Sequence, residues 1–296
     1  MEWLNYHHLL YFWVVAKEGS LARASQELRL AHPTISGQIH RLEEALGERL
    51  FTRKGRNLVL TEVGRVAFRY ADEIFSLGRE FLDTVKGRPL RLVVGVSDVL
   101  PKAMVYRMLE PAFRLTEPVR VICREDRSTE AFLGDLAVHA VDVVLADAPA
   151  GPGTAIRAFN HLLGESGTTF FAAPQLARSC RRRFPRSLDG VPFLLPGGNS
   201  MLRRLLEQWF TSQDIQPQVV GELDDPALAQ VLGEAGLGVF AVPRVVEEDV
   251  QQRYKVQHVG RAEALQQHFY AISVERKISH PAVIAICEEA RRHLLA

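Results

Sequence analysis

Between residues 32 and 41 the sequence places His32-Pro33-Thr34, Ser36, Gln38 and Arg41 on a helical repeat. Small hydroxyls, a carboxamide and a guanidinium are the groups that meet donor and acceptor edges of bases in a major groove. A short way on, Arg53, Lys54 and Arg56 crowd one glycine-bearing turn. Cations at that density suit phosphate oxygens, or else decorate an ordinary solvated turn. A third set is dispersed: Ser97-Asp98, Ser128-Thr129, Gly197-Gly198-Asn199-Ser200 and Asp224-Asp225. Each stands where an apolar run gives way to an amphipathic one, so a strand end opens a helix there. Free amides at such helix starts suit anions, and Asp98, Asp224 and Asp225 suit hard cations through oxygen. Ser97, Ser128 and Ser200 would equally cap helices in any α/β protein.

The elements that must position these groups change character near Gly87-Arg88-Pro89. Before it the apolar spacing is three and four, which reads as helix. A helix over residues 5–17 is closed by Gly19, and Ser20 can cap a second over 21–28 with Ala22, Ala24 and Leu28 inward. Pro33 suits the first position of a third helix, whose stripe is Ile35, Ile39, Leu42 and Leu46 and whose stop is Gly47. Two short strands around residues 54–57 make a hairpin with cations at its tip. Thr61 then caps a long helix over 62–85, whose Val63, Val66, Ala67, Tyr70, Ile74, Leu77, Phe81 and Leu82 form a stripe too long for one small domain. Such a stripe asks for a partner helix.

After residue 88, apolar bursts at 90–96, 119–125, 141–147, 168–174, 192–197, 219–223 and 238–243 read as strands. Helical segments at 103–115, 200–213 and 226–235 alternate with them. That alternation predicts an α/β unit on a largely parallel sheet.

Composition narrows the function class. Apolar residues make up 47% and charged residues 24%, a globular balance, and a net charge of +1 hides any basic face. Cys123, Cys180 and Cys287 are odd in number and have no C-x-x-C, which predicts a reducing compartment, small core residues and no zinc site. The start carries no signal-peptide pattern and no apolar run spans a bilayer, so a cytoplasmic protein off the membrane is expected. No phosphate-binding glycine loop or nucleophile elbow occurs, so an enzyme is not expected. A purely architectural DNA binder would not need some 200 residues of α/β chain.

The run Leu21-Ala22-Arg23-Ala24-Ser25-Gln26-Glu27-Leu28, then Pro33-Thr34-Ile35-Ser36, Ile39, Leu42-Glu43, Leu46-Gly47, Leu50-Phe51, Arg53, Arg56 and Leu60-Thr61-Glu62-Val63-Gly64, resembles the signature of the LysR family of transcriptional regulators. The resemblance implies an all-α winged helix-turn-helix over 1–61, a linker (dimerisation) helix and hinge over 62–88, and an α/β effector domain over 89–296. That domain would comprise two Rossmann-like lobes, as in periplasmic binding proteins: lobe one at 89–161 and 250–296, lobe two at 162–249. It further implies His32, Pro33, Thr34, Ser36, Gln38, Arg41, Arg53, Lys54 and Arg56 as DNA contacts. An effector would sit between the lobes near Ser97, Asp98, Ser128, Thr129, Gly197, Ser200, Asp224 and Asp225. The implied partners are palindromic promoter DNA, a homodimer or homotetramer and RNA polymerase, with no cofactor and no metal centre. Leu4-Asn5-Tyr6-His7-His8-Leu9, Gly37, Leu194-Leu195-Pro196-Gly197 and Gly221-Glu222-Leu223-Asp224-Asp225 are similar to the sodium-responsive branch of that family, activators of a sodium/proton antiporter gene. A small organic anion is the alternative signal. His32 stands where the family often places glutamine.

Overall fold

The protein is described from a computed structural model over residues 4–54, 57–125, 128–151, 158–198, 200–274, 278 and 280–294. It divides into two compact units, residues 1–90 and 91–296.

In the first unit, α1 (Tyr6–Glu18) opens on Asn5, whose carboxamide oxygen accepts from the His7 and His8 N–H groups. It ends at Gly19, whose φ of 62° is the left-handed conformation that glycine adopts cheaply. Ser20 caps α2 (Leu21–Leu28), and α3 (His32–Leu46) follows after a turn through Arg29. The helix begins one residue before Pro33, so His32 itself lies in the first turn. Ala24, Ile35, Ile39 and Leu42 are buried around Phe12, Val15 and Leu50. Ala22 and Leu46, expected inward, are exposed.

Strands β1 (Phe51–Lys54) and β2 (Asn57–Leu60) pair antiparallel, and α4 (Glu62–Val85) follows. The Thr61 hydroxyl accepts from the Gly64 N–H at 2.9 Å and donates to the Arg49 carbonyl at 2.6 Å, capping α4 while tying it to the base of the hairpin. The long helix carries two faces rather than one stripe. Ala67, Phe68, Ala71, Ile74 and Phe75 pack on the first unit, where Trp13 Nε1 donates to Asp72 at 2.6 Å. Val63, Val66, Tyr70, Leu77 and Phe81 stay exposed.

The second unit runs β3 (Leu90–Val96), α5 (Lys102–Phe113), β4 (Val119–Arg124), α6 (Thr129–Ala137), β5 (Val143–Ala146), β6 (Phe159–Ala172), α7 (Pro174–Arg181), β7 (Pro192–Pro196), α8 (Met201–Ser212), β8 (Gln218–Leu223), α9 (Pro226–Glu234), β9 (Phe240–Pro243), α10 (Glu247–Arg253), β10 (Gln257–Ser273) and α11 (Pro281–Leu294). Six strands form one sheet in the order β4-β3-β5-β10-β6-β9, and β7 and β8 form a second, parallel pair. The sheet is mixed rather than largely parallel, because β10 runs antiparallel to both β5 and β6. Strand β10 was not legible in the sequence. Its Gln, His and Arg residues blur the alternation, and its register shifts between Ala262 and Gln267 opposite Gly167.

Phe171, Phe269, Met104 and Ile286 belong to one core. Phe170, Phe193, Leu206 and Trp209 build another, with Phe170 stacked on Trp209 at 5.3 Å. Cys180 and Cys287 are buried as expected of small core residues, whereas Cys123 is exposed. Among the described residues no helix is long and apolar enough to cross a membrane.

Candidate nucleic-acid interface and ligand cleft

Helix α3 buries Ile35, Ile39 and Leu42, and this orients its other side outward. His32, Pro33, Thr34, Ser36, Gly37 and Arg41 are exposed and Gln38 is half-buried. Gly37 leaves open space above the backbone, so a groove floor can approach closely there. The hairpin is held beside this helix by Glu43, which stands in the family motif but not among the expected DNA contacts. Its buried carboxylate accepts from the Leu50 N–H at 2.8 Å, the Phe51 N–H at 3.3 Å and Arg49 at 3.0 Å. Replacing those bonds would leave two strand amides unpaired where β1 begins.

Arg53 is exposed on β1 opposite Leu58 and makes no ion pair among the described residues. The Lys54 backbone closes the strand opposite Asn57, while Arg56 lies outside the described residues. A free guanidinium on a strand beside an exposed helix is suited to phosphate. Arg53→Ala is therefore expected to weaken DNA binding for every sequence and to reduce the slope of log affinity against log salt by about one. A changed base preference at unchanged slope, in fluorescence anisotropy over a salt series, would place Arg53 on a base instead.

The dispersed hydroxyl and carboxylate set divides. Ser97 is buried behind the end of β3, and Thr129 donates to its hydroxyl at 3.2 Å. Ser128 caps α6 and Asp225 caps α9, the structural use that any α/β protein makes of them. Asp98 is exposed on the turn after β3. Asp224 lies against Gly197, where an added Cβ would stand 1.8 Å from its carboxylate oxygen, so the glycine makes room for that side chain.

Ser200 and Asp224 line a cavity of about 40 Å³ together with Asp147 and Gln267, which the sequence reading did not include. Its apolar wall includes Leu100, Phe240 and Phe269. At this size it holds a few waters or a small ion. Ser200 is 4% exposed, and its hydroxyl has no hydrogen-bond partner among the described residues.

Asp147 decides the electrostatics. Its carboxylate accepts from the Met201 N–H at 2.8 Å and so caps α8 from 54 residues away. Burial pushes its pKa up from the usual carboxylate range, and the Asp98 charge adds to the rise. The Met201 bond and Arg204 oppose it. A signal for Asp147 existed: it closes an apolar run, and α/β sheets bind ligands beyond the carboxyl ends of their strands. Among the described residues no group of three or more His, Cys, Asp or Glu could hold a metal ion.

Residues 6–65 match the family described as bacterial regulatory helix-turn-helix proteins of the lysR family, and residues 86–295 match the LysR substrate binding domain. The chain is 38% identical over 290 residues to the transcriptional activator protein NhaR of Escherichia coli strain K12, covering 97% of this chain and 95% of that one. Among solved structures, full-length LysG of Corynebacterium glutamicum with bound effector Arg aligns with a TM-score of 0.67 at 17% identity, over 99% of this chain and 100% of that one. Full-length CbnR complexed with its target DNA aligns at 0.56 and 19% identity, over 98% and 100% of the two chains.

Proposed function

Because the chain belongs to the LysR family of bacterial helix-turn-helix regulators, we propose that it is a transcriptional activator that responds to sodium at a sodium/proton antiporter gene. Likeness to NhaR along nearly the whole chain supports the activator role. His32, Pro33, Thr34, Ser36, Gln38 and Arg41 meet base edges or adjacent phosphates, while Arg53, Lys54 and Arg56 hold the backbone. The exposed face of α4 pairs with a second copy, so the operator is palindromic and the assembly on DNA is a dimer or a tetramer. RNA polymerase is the partner that an activator requires.

One observation favours a cation over an organic anion as the signal. The α8 N-terminus, where an anionic effector would find free amides, is already occupied by the Asp147 carboxylate. What remains in the cavity is oxygen: the Ser200 hydroxyl, the Asp224 carboxylate and the amide oxygen of Gln267. Hard cations bind such ligands, and two carboxylates with neutral oxygens suit a weakly held monovalent ion. An ion that binds one arrangement of the lobes better than another shifts the population between them. Coupling of about 1–3 kcal/mol would reposition a pair of DNA-binding domains without releasing the protein from DNA.

Footprints of the full-length protein on the promoter of an antiporter gene test this, with sodium exchanged for potassium at constant ionic strength. The parent footprint is expected to change with sodium. Asp147→Asn and Asp224→Asn are expected to abolish the change at nearly constant affinity, with Asp98→Asn and Asp225→Asn having smaller effects. A parent that ignores sodium but answers a small organic anion would replace this reading with the anion-responsive one.

A further inference from the structure

Between the end of α7 and the short 3-10 turn Arg186–Leu188 the chain carries five arginines: Arg178, Arg181, Arg182, Arg183 and Arg186. No lysine and no acidic residue stands among them. Ala177 and Cys180 bury one side of α7, and Leu188 buries the turn, which leaves all five arginines exposed. The segment is pinned from beneath. Phe184 packs on Phe170 at 5.3 Å and on Trp209 at 6.0 Å, and the Ser187 hydroxyl donates to the Cys180 carbonyl.

None of these five charges meets a carboxylate among the described residues. Arg178 donates to the Pro174 carbonyl at 3.1 Å, and Arg181 donates twice to the His258 carbonyl, at 3.0 and 2.7 Å. The next acid along the chain, Asp189, accepts the Gln216 N–H at 2.8 Å. Other arginines of the second unit are treated differently. Arg107 pairs with Asp249 at 2.7 Å, Arg114 with Glu110 at 2.6 Å, Arg244 with Glu263 at 3.0 Å and Arg261 with Glu247 at 2.6 Å. A helix end favours cations in its last turn, which accounts for Arg178 and Arg181. Arg182, Arg183 and Arg186 lie beyond that turn, where clustered like charges only repel one another.

We infer that this arginine ridge holds the phosphate backbone of duplex DNA outside the segment that the helix-turn-helix reads. The inference rests on the DNA-binding reading of the first unit and not on the sodium reading. From residue 178 to residue 186 the exposed side chains are the five arginines and Ser179, while Phe184 and Pro185 are half-buried. A protein partner would need an apolar centre to pack against, and a membrane an apolar anchor. A surface of guanidinium groups alone suits a regular array of phosphates, each a bidentate match for one fork. Because the first unit already keeps DNA close, the ridge needs little affinity of its own to be occupied.

A duplex selected from a random pool by the full-length protein tests this, used once with two helical turns (about 20 bp) of flanking DNA on each side and once trimmed to its core. Affinity is measured by fluorescence anisotropy over a potassium chloride series. Arg182→Gln, Arg183→Gln and Arg186→Gln together are expected to lower the slope of log affinity against log salt on the long duplex by about two, since each phosphate contact contributes about 0.9. Affinity there is expected to fall at least about tenfold, the weight of a hydrogen bond to a charged group. On the trimmed duplex neither quantity should change, whereas Arg53→Ala should lower the slope on both. Arg182→Lys, Arg183→Lys and Arg186→Lys together keep the charge and are expected to keep most of the slope. Hydroxyl-radical protection of the flanks should vanish in the glutamine variant while protection of the core stays. The three side chains make no hydrogen bond among the described residues, so the Tm of the glutamine variant is expected to be unchanged or higher. The inference is overturned by a glutamine variant that matches the parent on the long duplex, by an equal loss on both lengths, or by a lysine variant as weak as the glutamine one. Binding of the parent but not the glutamine variant to poly-glutamate, at unchanged DNA slopes, would overturn it in favour of an acidic protein. A parent that binds neither duplex would overturn the DNA-binding reading together with this inference, and the other outcomes this inference alone.

Discussion

Replacing Leu77 and Phe81 together by lysine is expected to convert the protein to folded monomers at micromolar concentration. Both side chains lie on the outer face of α4, 67% and 63% exposed, and neither belongs to the core of the first unit. With Val63, Val66 and Tyr70 they follow spacings of three, four, seven and four, the seam of a helix that packs against another. Burying a Leu or Phe side chain contributes about 1.5–3 kcal/mol, and in a symmetric pair each substitution is felt twice. The lysines would further set like charges across the seam. The combined loss exceeds about 3 kcal/mol, a rise in the dimer dissociation constant of more than roughly a hundredfold. Sedimentation equilibrium reads this directly, and circular dichroism should report an unchanged fold. DNA binding should fall with it, since two half-sites would no longer be bound together. A parent that is itself monomeric at these concentrations, or a double variant that associates as the parent does, would show that the face has another use.

Gly64→Ala is expected to destabilise the DNA-binding unit by about 2–4 kcal/mol and to cost at least tenfold in operator affinity. A Cβ at this position would stand 2.0 Å from the Leu50 carbonyl oxygen and 2.9 Å from its carbon. The obstacle is backbone, so no rotamer change relieves it. Either α4 or the first residues of the hairpin must move. That motion would strain the Thr61 bond to the Arg49 carbonyl and the Glu43 bonds to Leu50 and Phe51, which together hold the hairpin beside α3. Gly37→Ala is the informative contrast. Nothing lies within 4 Å of a Cβ there, and alanine favours a helix interior over glycine by about 1 kcal/mol. The Gly37 variant should therefore unfold at a higher temperature, while its DNA affinity falls if α3 approaches a groove floor at that residue. Equal stabilities of the two variants in thermal unfolding would refute the steric account of Gly64.

What the sequence determined by itself was local. Caps at Ser20 and Thr61, stops at Gly19 and Gly47, and the stripe Ile35, Ile39 and Leu42 act over a few residues, so α1 to α4 and their order could be read from spacing alone. The same holds for β3, β4 and β7, whose apolar runs are short and are interrupted only by Arg91 in β3 and Arg120 in β4. The family motif added the winged helix-turn-helix from residues that are themselves contiguous.

What only the tertiary structure decided depends on residues far apart in the chain. Whether Ala67 and Ile74 turn inward while Leu77 and Phe81 turn outward is set by the surface that α1 and β2 present to α4, not by the helix's own period. The seventeen-residue β10 exists because β6 and β5 supply its hydrogen bonds on either side; its polar sequence alone has no reason to be extended. Ser200 was legible as a helix cap, yet the bond that caps α8 comes from Asp147, brought there by the packing of β5 against elements that follow it. Local chemistry could name a carboxylate at a strand end. Only the fold could decide which helix it would face, because that distance is fixed by how two cores, built from separate stretches of chain, come to share one sheet.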